Sequence, residues 1–218
     1  MAAKMQWSYS RLNSFKGCPK KYFHLNVAKD VPFTESPAMK AGSEVHKAIE
    51  RRLATGMPLP PELARLEPVM QVYDQAPGEK LVEAKLAFNR NWEPVGYFDY
   101  DVWARFGFDH AWVAGEVASI TDWKNGRRMV DGLQLSCFAL AGFKLWPHVQ
   151  QIHTQYFWTQ TGDVDPASYD RSAIPRLESI ILPKVEELQR AYDNNEWPMR
   201  KNYCNSCEVK KAGKCNGL

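Results

Sequence analysis

Midway along this 218-residue chain the spacing of apolar residues changes from three and four to two, and no other feature limits the possible fold as strongly. In the segment LVEAKLAF, Val82, Ala84, Leu86 and Phe88 alternate with Glu83, Lys85 and Ala87, the pattern of a half-buried strand. Upstream of it the spacing is helical. Ser8–Leu25 carries apolar Leu12, Phe15, Tyr22 and Phe23 and is broken at Gly17-Cys18-Pro19; Met39–Leu53 has the stripe Val45, Ile49 and Leu53 beside His46; Glu62–Tyr73 follows a loop marked by Pro58, Pro60 and Pro61. Downstream, Val95–Ala104 reads as a less regular strand, and Gly107–Val113 and Val117–Lys124 as strands joined by a turn at Ala114-Gly115-Glu116. A helix over Val130–Leu145, a strand over Val149–Trp158 and a long helix over roughly Arg171–Asn194, with Pro183 as a place to bend, complete the chain. Helices, then antiparallel strands, then helix, strand and helix predict an α/β fold with a central mixed sheet flanked by helices.

The hydrophobic share of 44% and charged share of 24% exclude disordered, collagen-like and coiled-coil chains, and the length suits one domain over residues 1–218. No apolar run approaches ~18 residues and the opening MAAKMQWSYS lacks a signal-peptide core, so a cytoplasmic protein without membrane spans is expected. No G-x-x-x-x-G-K-(S/T) segment is present, so ATP chemistry is not expected. The net charge of +3 hides an asymmetry: residues 1–29 carry six Lys/Arg and no acid, and residues 196–218 are also basic, which leaves an acidic middle. Such a chain fits a phosphate-gripping surface beside carboxylates gathered round a divalent metal, or simply two solvated basic ends. Five cysteines, three of them in Cys204-x-x-Cys207 and the nearby Cys215, point to metal rather than disulfides. By spacing alone zinc is the natural occupant.

The segment richest in chemistry is Asp109 followed thirteen residues later by Asp122-Trp123-Lys124. Alternate residues of a strand share a face, so Asp122 and Lys124 project together and Trp123 points away. A hairpin through Gly115 would bring Asp109 towards Asp122. Two carboxylates and an ammonium round one point can hold Mg²⁺ or Mn²⁺ and stabilise charge on a phosphate, the requirements of phosphodiester hydrolysis.

These residues resemble the D…(D/E)-x-K core of the PD-(D/E)XK nuclease superfamily, with its restriction-endonuclease-like core. Gly42-Ser43-Glu44-Val45-His46 resembles the G-x-x-x-H helix of the RecB-like branch, and Gln134 with Phe138 resembles its Q-x-x-x-Y motif with phenylalanine in place of tyrosine. Ser8-Tyr9-Ser10-Arg11-Leu12, Phe15, Cys18-Pro19 and Tyr22 resemble the opening of the iron–sulfur subgroup, which includes CRISPR-associated RecB-like exonucleases and AddB-type nuclease domains. Gly107 departs from the pattern by standing two rather than three residues before Asp109.

The resemblance implies roles for individual positions. His46, Asp109, Asp122 and the backbone carbonyl of Trp123 would bind Mg²⁺ or Mn²⁺; Lys124 would orient or activate water; Gln134 would contact DNA or orient Lys124; Glu83 would assist. Cys18 would join Cys204, Cys207 and Cys215 round a [4Fe–4S] cluster, with zinc as the alternative, and Cys137 would be an ordinary buried cysteine. That staple would unite segments 1–29 and 196–218 beside a catalytic core of residues 39–160 and align Arg11, Lys20, Lys21, Arg200, Lys201, Lys210 and Lys211 on DNA. The implied function is a metal-dependent DNA exonuclease acting on single strands or ends in recombination, repair or phage DNA processing, with a recombination protein as a partner and, for a phage-encoded protein, the host cytoplasm as its location. A catalytically silent DNA-binding or adaptor module of the same fold is the rival reading, and the intact Asp109, Asp122 and Lys124 set argues for the enzyme.

Overall fold

The computed structural model describes residues 4–200 and 204–216. Helix α1 (Tyr9–Gly17) starts where the Ser8 hydroxyl accepts from the Arg11 N–H, and it ends at Cys18, whose extended backbone lets Pro19 open α2 (Pro19–Tyr22), followed by a π turn at Phe23–Val27. Helix α3 (Pro37–Thr55) is capped by Ser36 and closed by Gly56 in the left-handed region. The expected third helix divides. A 3₁₀ turn over Pro61–Leu66 precedes α4 (Glu67–Asp74), with Pro68 in the first turn of α4, where a missing N–H costs no helical bond.

Strands β1 (Glu79–Phe88), β2 (Pro94–Val95), β3 (Ala104–Ala114), β4 (Val117–Lys124), β5 (Gln151–Trp158) and β6 (Val164–Asp170) form one sheet in the order β2-β1-β3-β4-β5-β6. Only β4 and β5 pair in parallel, and α5 (Gly132–Leu145) makes the crossover between them. Helix α6 (Ile174–Asn194) runs through Pro183, and α7 (Glu208–Lys211) lies near the C-terminus.

Helices cover both faces of the sheet. On one face, Leu135, Phe138 and Leu140 of α5, Leu177, Ile181 and Leu188 of α6, and Leu12 and Phe15 of α1 share a core with Phe106, Phe108, Ile120 and Ile152. On the other, Trp123 and Phe157 pack with Ile49 of α3 and Met70 and Tyr73 of α4. Strand β4 is thus buried on both sides, and its alternation is set by two separate cores. Helix α5 approaches closely at Gly142, where an added Cβ would stand 2.8 Å from Ile152 Cδ1 and 3.0 Å from Ile120 Cδ1.

The N-terminal segment takes part in the sheet. Strand β4 leaves β3 beyond His110, and Trp7 lies parallel to Ala104 along β3, donating to Trp103 O and accepting from Arg105 N, each at 2.9 Å. The C-terminal segment clasps the N-terminal one: Lys21 pairs with Glu208 at 3.1 Å, Lys214 with Asp30 at 3.1 Å, and Arg200 donates to Lys16 O at 2.7 Å.

Two strand expectations need correction. Of the segment Val95–Ala104 only its two end residues are in strands, Val95 in β2 and Ala104 in β3; between them the Asp99 N–H bonds Gly96 O at 2.9 Å while its carboxylate accepts from Gly96 N at 2.8 Å, so the chain turns instead of extending. Strand β6 was not expected, because VDPASYD carries Pro166 inside it and little apolar pattern. It survives at the sheet edge, where a missing donor is tolerated.

Gly142→Ala should destabilise the fold by about 1–3 kcal/mol through overpacking, seen as a Tm several degrees lower. Adding Ile152→Val, which removes the opposing Cδ1, should restore part of the loss; simple addition of the two single losses would contradict close packing at this point.

Candidate active site

The sheet opens on both sides of Asp109. Pairing of β1 with β3 runs through Val82–His110 and resumes at Ala84–Phe108, skipping Glu83 and Asp109. Pairing of β3 with β4 stops at His110–Thr121, one step short of Asp109 and Asp122. Side-chain alternation reverses at the same place: Leu81, Ala84 and Leu86 all pack on the α5 side, and the reversal is taken up at Glu83, which sits at φ +50°. In β3, Phe108 meets Phe138 and Trp146 on that side, His110 meets Tyr73 on the other, and Ala111 is back in the first core. A non-glycine residue in the left-handed region costs on the order of 1–3 kcal/mol. Here the cost frees Glu83 and Asp109 from regular pairing.

His46 of α3 completes the cluster. Ligand atoms of His46, Glu83 and Asp109 all lie within 4.8 Å of one another, the only such trio of potential metal ligands among the described residues. His46 Nδ1 stands 3.4 Å from Asp109 Oδ2, and that same oxygen accepts from the Trp123 N–H at 2.8 Å. Burial, followed by the negative charge of Asp122, pushes the Asp109 carboxyl up to about 8, while burial lowers His46. Both shifts disfavour the charged forms, so burial weakens the ion-pair character of this contact. Glu83 is also raised, by burial and then by Glu50 and Asp122.

Asp122 lies beside this trio and is not in it. Lys124 Nζ is 2.5 Å from Asp122 Oδ2, and Gln134 Nε2 donates to Oδ1 at 3.0 Å. Oδ2 is fully buried, and the lysine approaches it as a charge without the alignment of a hydrogen bond. Burial raises the Asp122 carboxyl, against the pull of Lys124. Trp123 points to the opposite face, into the α4 core, so Asp122 and Lys124 share a face as the strand period requires. A buried carboxylate oxygen lacking an aligned donor, with a neutral imidazole and two further carboxyls close by, is a donor set that fits a hard divalent cation. An open cleft of about 690 Å³ leads in, lined by Gly42, His46, Glu50, Glu83 and Lys124.

The sequence alone did not reveal the support behind Gln134. Tyr156 faces Asp122 across the β4–β5 register, and its hydroxyl lies 3.0 Å from Gln134 Oε1 and 2.8 Å from Asp131 O; its ring lies under Lys124 Nζ at 5.1 Å. Asp131 caps α5 and accepts from the Tyr9 hydroxyl at 2.8 Å. A hydroxyl thus reaches Gln134 from β5 rather than from position 138 on its own helix, where Phe138 packs on Phe108. Only the strand register could have disclosed it.

The cysteines also converge. Cys18, Cys204, Cys207 and Cys215 line one small pocket with Lys20, Lys21 and Lys210, whereas Cys137 is buried in α5. Among the basic residues expected on DNA, Lys21 is paired with Glu208, Arg11 donates to Gln6 O at 2.8 Å, and Arg200 is held by Lys16 O and Glu187. Lys211 is exposed, Lys20 and Lys210 are half-buried, and Lys201 lies outside the described residues.

Comparison with known proteins bears on this geometry. Over residues 6–105 the chain matches the PD-(D/E)XK nuclease superfamily. That span holds His46 and Glu83 and stops before Asp109, so the Asp109, Asp122 and Lys124 part rests on the geometry above. A solved Eubacterium rectale structure described as a "putative exonuclease" is 14% identical, with 93% of this chain and 86% of that one covered at a TM-score of 0.60, a likeness of fold. Another solved protein, SSO0001, is 13% identical over 97% of this chain and 87% of that one, at a TM-score of 0.47. No curated protein matches the chain significantly. Among the described residues no helix is long and apolar enough to cross a membrane.

The raised Asp109 carboxyl predicts how stability depends on pH. An aspartate near 3.9 when unfolded and near 8 when folded favours the folded state at low pH, and that contribution is lost as pH rises from about 4 to about 8. Without metal, the Tm difference between wild type and Asp109→Asn should therefore move in favour of the variant from pH 5 to pH 8. Saturating Mn²⁺ should raise wild type most at pH 8. Calorimetry with EDTA or Mn²⁺ tests this, and a pH-independent difference in EDTA would contradict it.

Proposed function

We propose that this chain is a Mg²⁺- or Mn²⁺-dependent deoxyribonuclease, cutting phosphodiester bonds as an exonuclease. The observation that carries the reading is the convergence of His46, Glu83 and Asp109 beside the Asp122–Lys124 pair in an open cleft. His46, Glu83, Asp109 and Asp122 would hold the metal, which supplies positive charge to the scissile phosphate and makes a bound water acidic. Lys124, on the same face as Asp122, carries the mobile cation for the phosphate or the attacking water. Gln134, fixed by Tyr156, holds Asp122 Oδ1, and Oδ2 faces Lys124 at 2.5 Å. Exonuclease action is the finer part of the proposal, and it accords with the description given to the similar Eubacterium rectale fold.

End-labelled single- and double-stranded DNA incubated with Mg²⁺, Mn²⁺ or EDTA tests this. Cleavage should need metal and fall at least about a hundredfold in Asp122→Asn and in Lys124→Ala, without loss of folding. Near wild-type cleavage by both variants would remove the assignment, and inert wild-type protein would favour the silent DNA-binding module.

The cysteine pocket is proposed to hold a [4Fe–4S] cluster. Its support is that Cys18 and three C-terminal cysteines line one pocket, with Cys18 Sγ 3.5 Å from the Arg200 N–H. No three of these sulfurs lie within 4.8 Å of one another. Cys18, Cys204, Cys207 and Cys215 would each supply one thiolate to the cluster, and the same four could instead close a zinc site. Protein purified without oxygen should be brown, and Cys18→Ala should lose the colour and the iron as fully as Cys207→Ala, with Cys137→Ala unaffected. Colourless protein with stoichiometric zinc would decide for the other metal.

A further inference from the structure

Phe98 and Tyr100 are 86% and 88% exposed, the most exposed large apolar side chains among the described residues. Their display is built into the backbone. The turn between Gly96 and Asp99 is closed by Asp99 N to Gly96 O at 2.9 Å and by the Asp99 carboxylate on Gly96 N at 2.8 Å. Any side chain at position 96 would collide with that carboxylate, since a Cβ there would lie 2.6 Å from Oδ1. Two cations brace the rings from behind. Arg105 lies 4.8 Å from the Tyr97 ring and 5.9 Å from the Phe98 ring and donates to Tyr97 O at 3.1 Å, and Lys4 Nζ lies 4.4 Å from the Tyr100 ring and donates to Tyr100 O at 2.9 Å. Neither ring belongs to a buried core, and together they form an exposed aromatic pair flanked by two cations.

We infer that the Tyr97–Tyr100 turn, with Lys4 and Arg105, is a stacking platform for unpaired bases of a single DNA strand. A base offers a flat π face to an exposed ring whatever its identity, and neighbouring cations meet the phosphates. The nearby acids are Asp99, whose carboxylate closes the turn, Glu93, which accepts from Asn89 at 2.6 Å, and Asp101, and their charges oppose those of Lys4 and Arg105. Position supports a nucleic-acid ligand. The turn lies in the connection between Phe88 of β1 and Ala104 of β3, and these strand ends stand five residues from Glu83 and Asp109, about 17 Å at about 3.3 Å per residue.

The ligand class rests on the nuclease reading, so binding is best measured apart from cleavage. Fluorescein-labelled dT12 is titrated by anisotropy in EDTA with the full chain. Phe98→Ala/Tyr100→Ala should bind dT12 at least about fivefold more weakly, with the slope of log K against log salt unchanged because no phosphate contact is lost, while Phe98→Tyr/Tyr100→Phe should bind as wild type does. Lys4→Ala should flatten that slope by about 0.7. A blunt hairpin duplex should lose nothing in the aromatic variant. Unchanged dT12 affinity in that variant would overturn the platform and assign the turn to a protein partner, and an equal loss on the duplex would overturn base stacking. Wild type that binds dT12 through these rings and cleaves nothing would sink the nuclease reading alone, whereas active enzyme whose aromatic variant binds normally would sink the platform alone.

Discussion

Three carboxyls brought together in the middle of a sheet repel one another, and the rest of this structure is arranged so that Glu83, Asp109 and Asp122 can remain close. Regular pairing would have placed Asp109 between two neighbouring strands with its backbone tied on both sides. The ladder lapses instead on either side of it, and Glu83 accepts a left-handed backbone. Burial raises both the Asp109 and the Asp122 carboxyls, Asp109 further through the negative charge of Asp122, while Lys124 pulls Asp122 the other way. A site of this kind is destabilising until a cation occupies it, so the surrounding fold must supply the rigidity. Two cores, one on each face of β4, supply it.

Rigidity is carried to the site by polar contacts that begin far away in sequence. Tyr9 of α1 donates to Asp131, Asp131 caps α5, the Tyr156 hydroxyl reaches both the Asp131 carbonyl and Gln134, and Gln134 donates to Asp122. Helix α1 is in turn held by the C-terminal clasp through Lys16 and Arg200. The two ends of the chain therefore bear on the orientation of one carboxylate without touching it. Basic residues of these ends are committed to protein contacts, Lys21 to Glu208 and Lys214 to Asp30 within the clasp and Arg200 to Lys16 O and to Glu187 of α6, which explains why an excess of positive charge in sequence need not become a DNA-facing surface.

Periodicity made the elements with one strong apolar pattern legible, and local chemistry obscured the others. Strand β4 was found with its bounds intact because each of its faces meets a separate core. The segment Val95–Ala104 looked extended, yet a short-range bond between Asp99 and Gly96 outcompeted strand pairing. Strand β6 was invisible because an edge strand needs neither apolar alternation nor every donor. At the site, Asp122 and Lys124 could be placed on one face from the strand period alone. Tyr156 could not be placed there, since its contact with Gln134 depends on the parallel register of β4 and β5, which is fixed by packing between distant segments.

The same register explains how a departure in sequence can be absorbed. Phe138 carries no hydroxyl, and its ring fills a position against Phe108 where a polar group would be buried without a partner. The hydroxyl that steadies Gln134 comes from Tyr156 instead, a buried residue whose oxygen can reach the open end of α5 because Asp131, at the helix cap, presents its carbonyl there. Apolar packing and polar orientation, which one tyrosine on the helix would have to combine, are thus divided between a helix and a strand. The division works only because β5 lies parallel and adjacent to β4, so that the residue opposite Asp122 is also the one beneath Lys124. One side chain then fixes both flanks of the carboxylate, the amide on one side and the ammonium on the other.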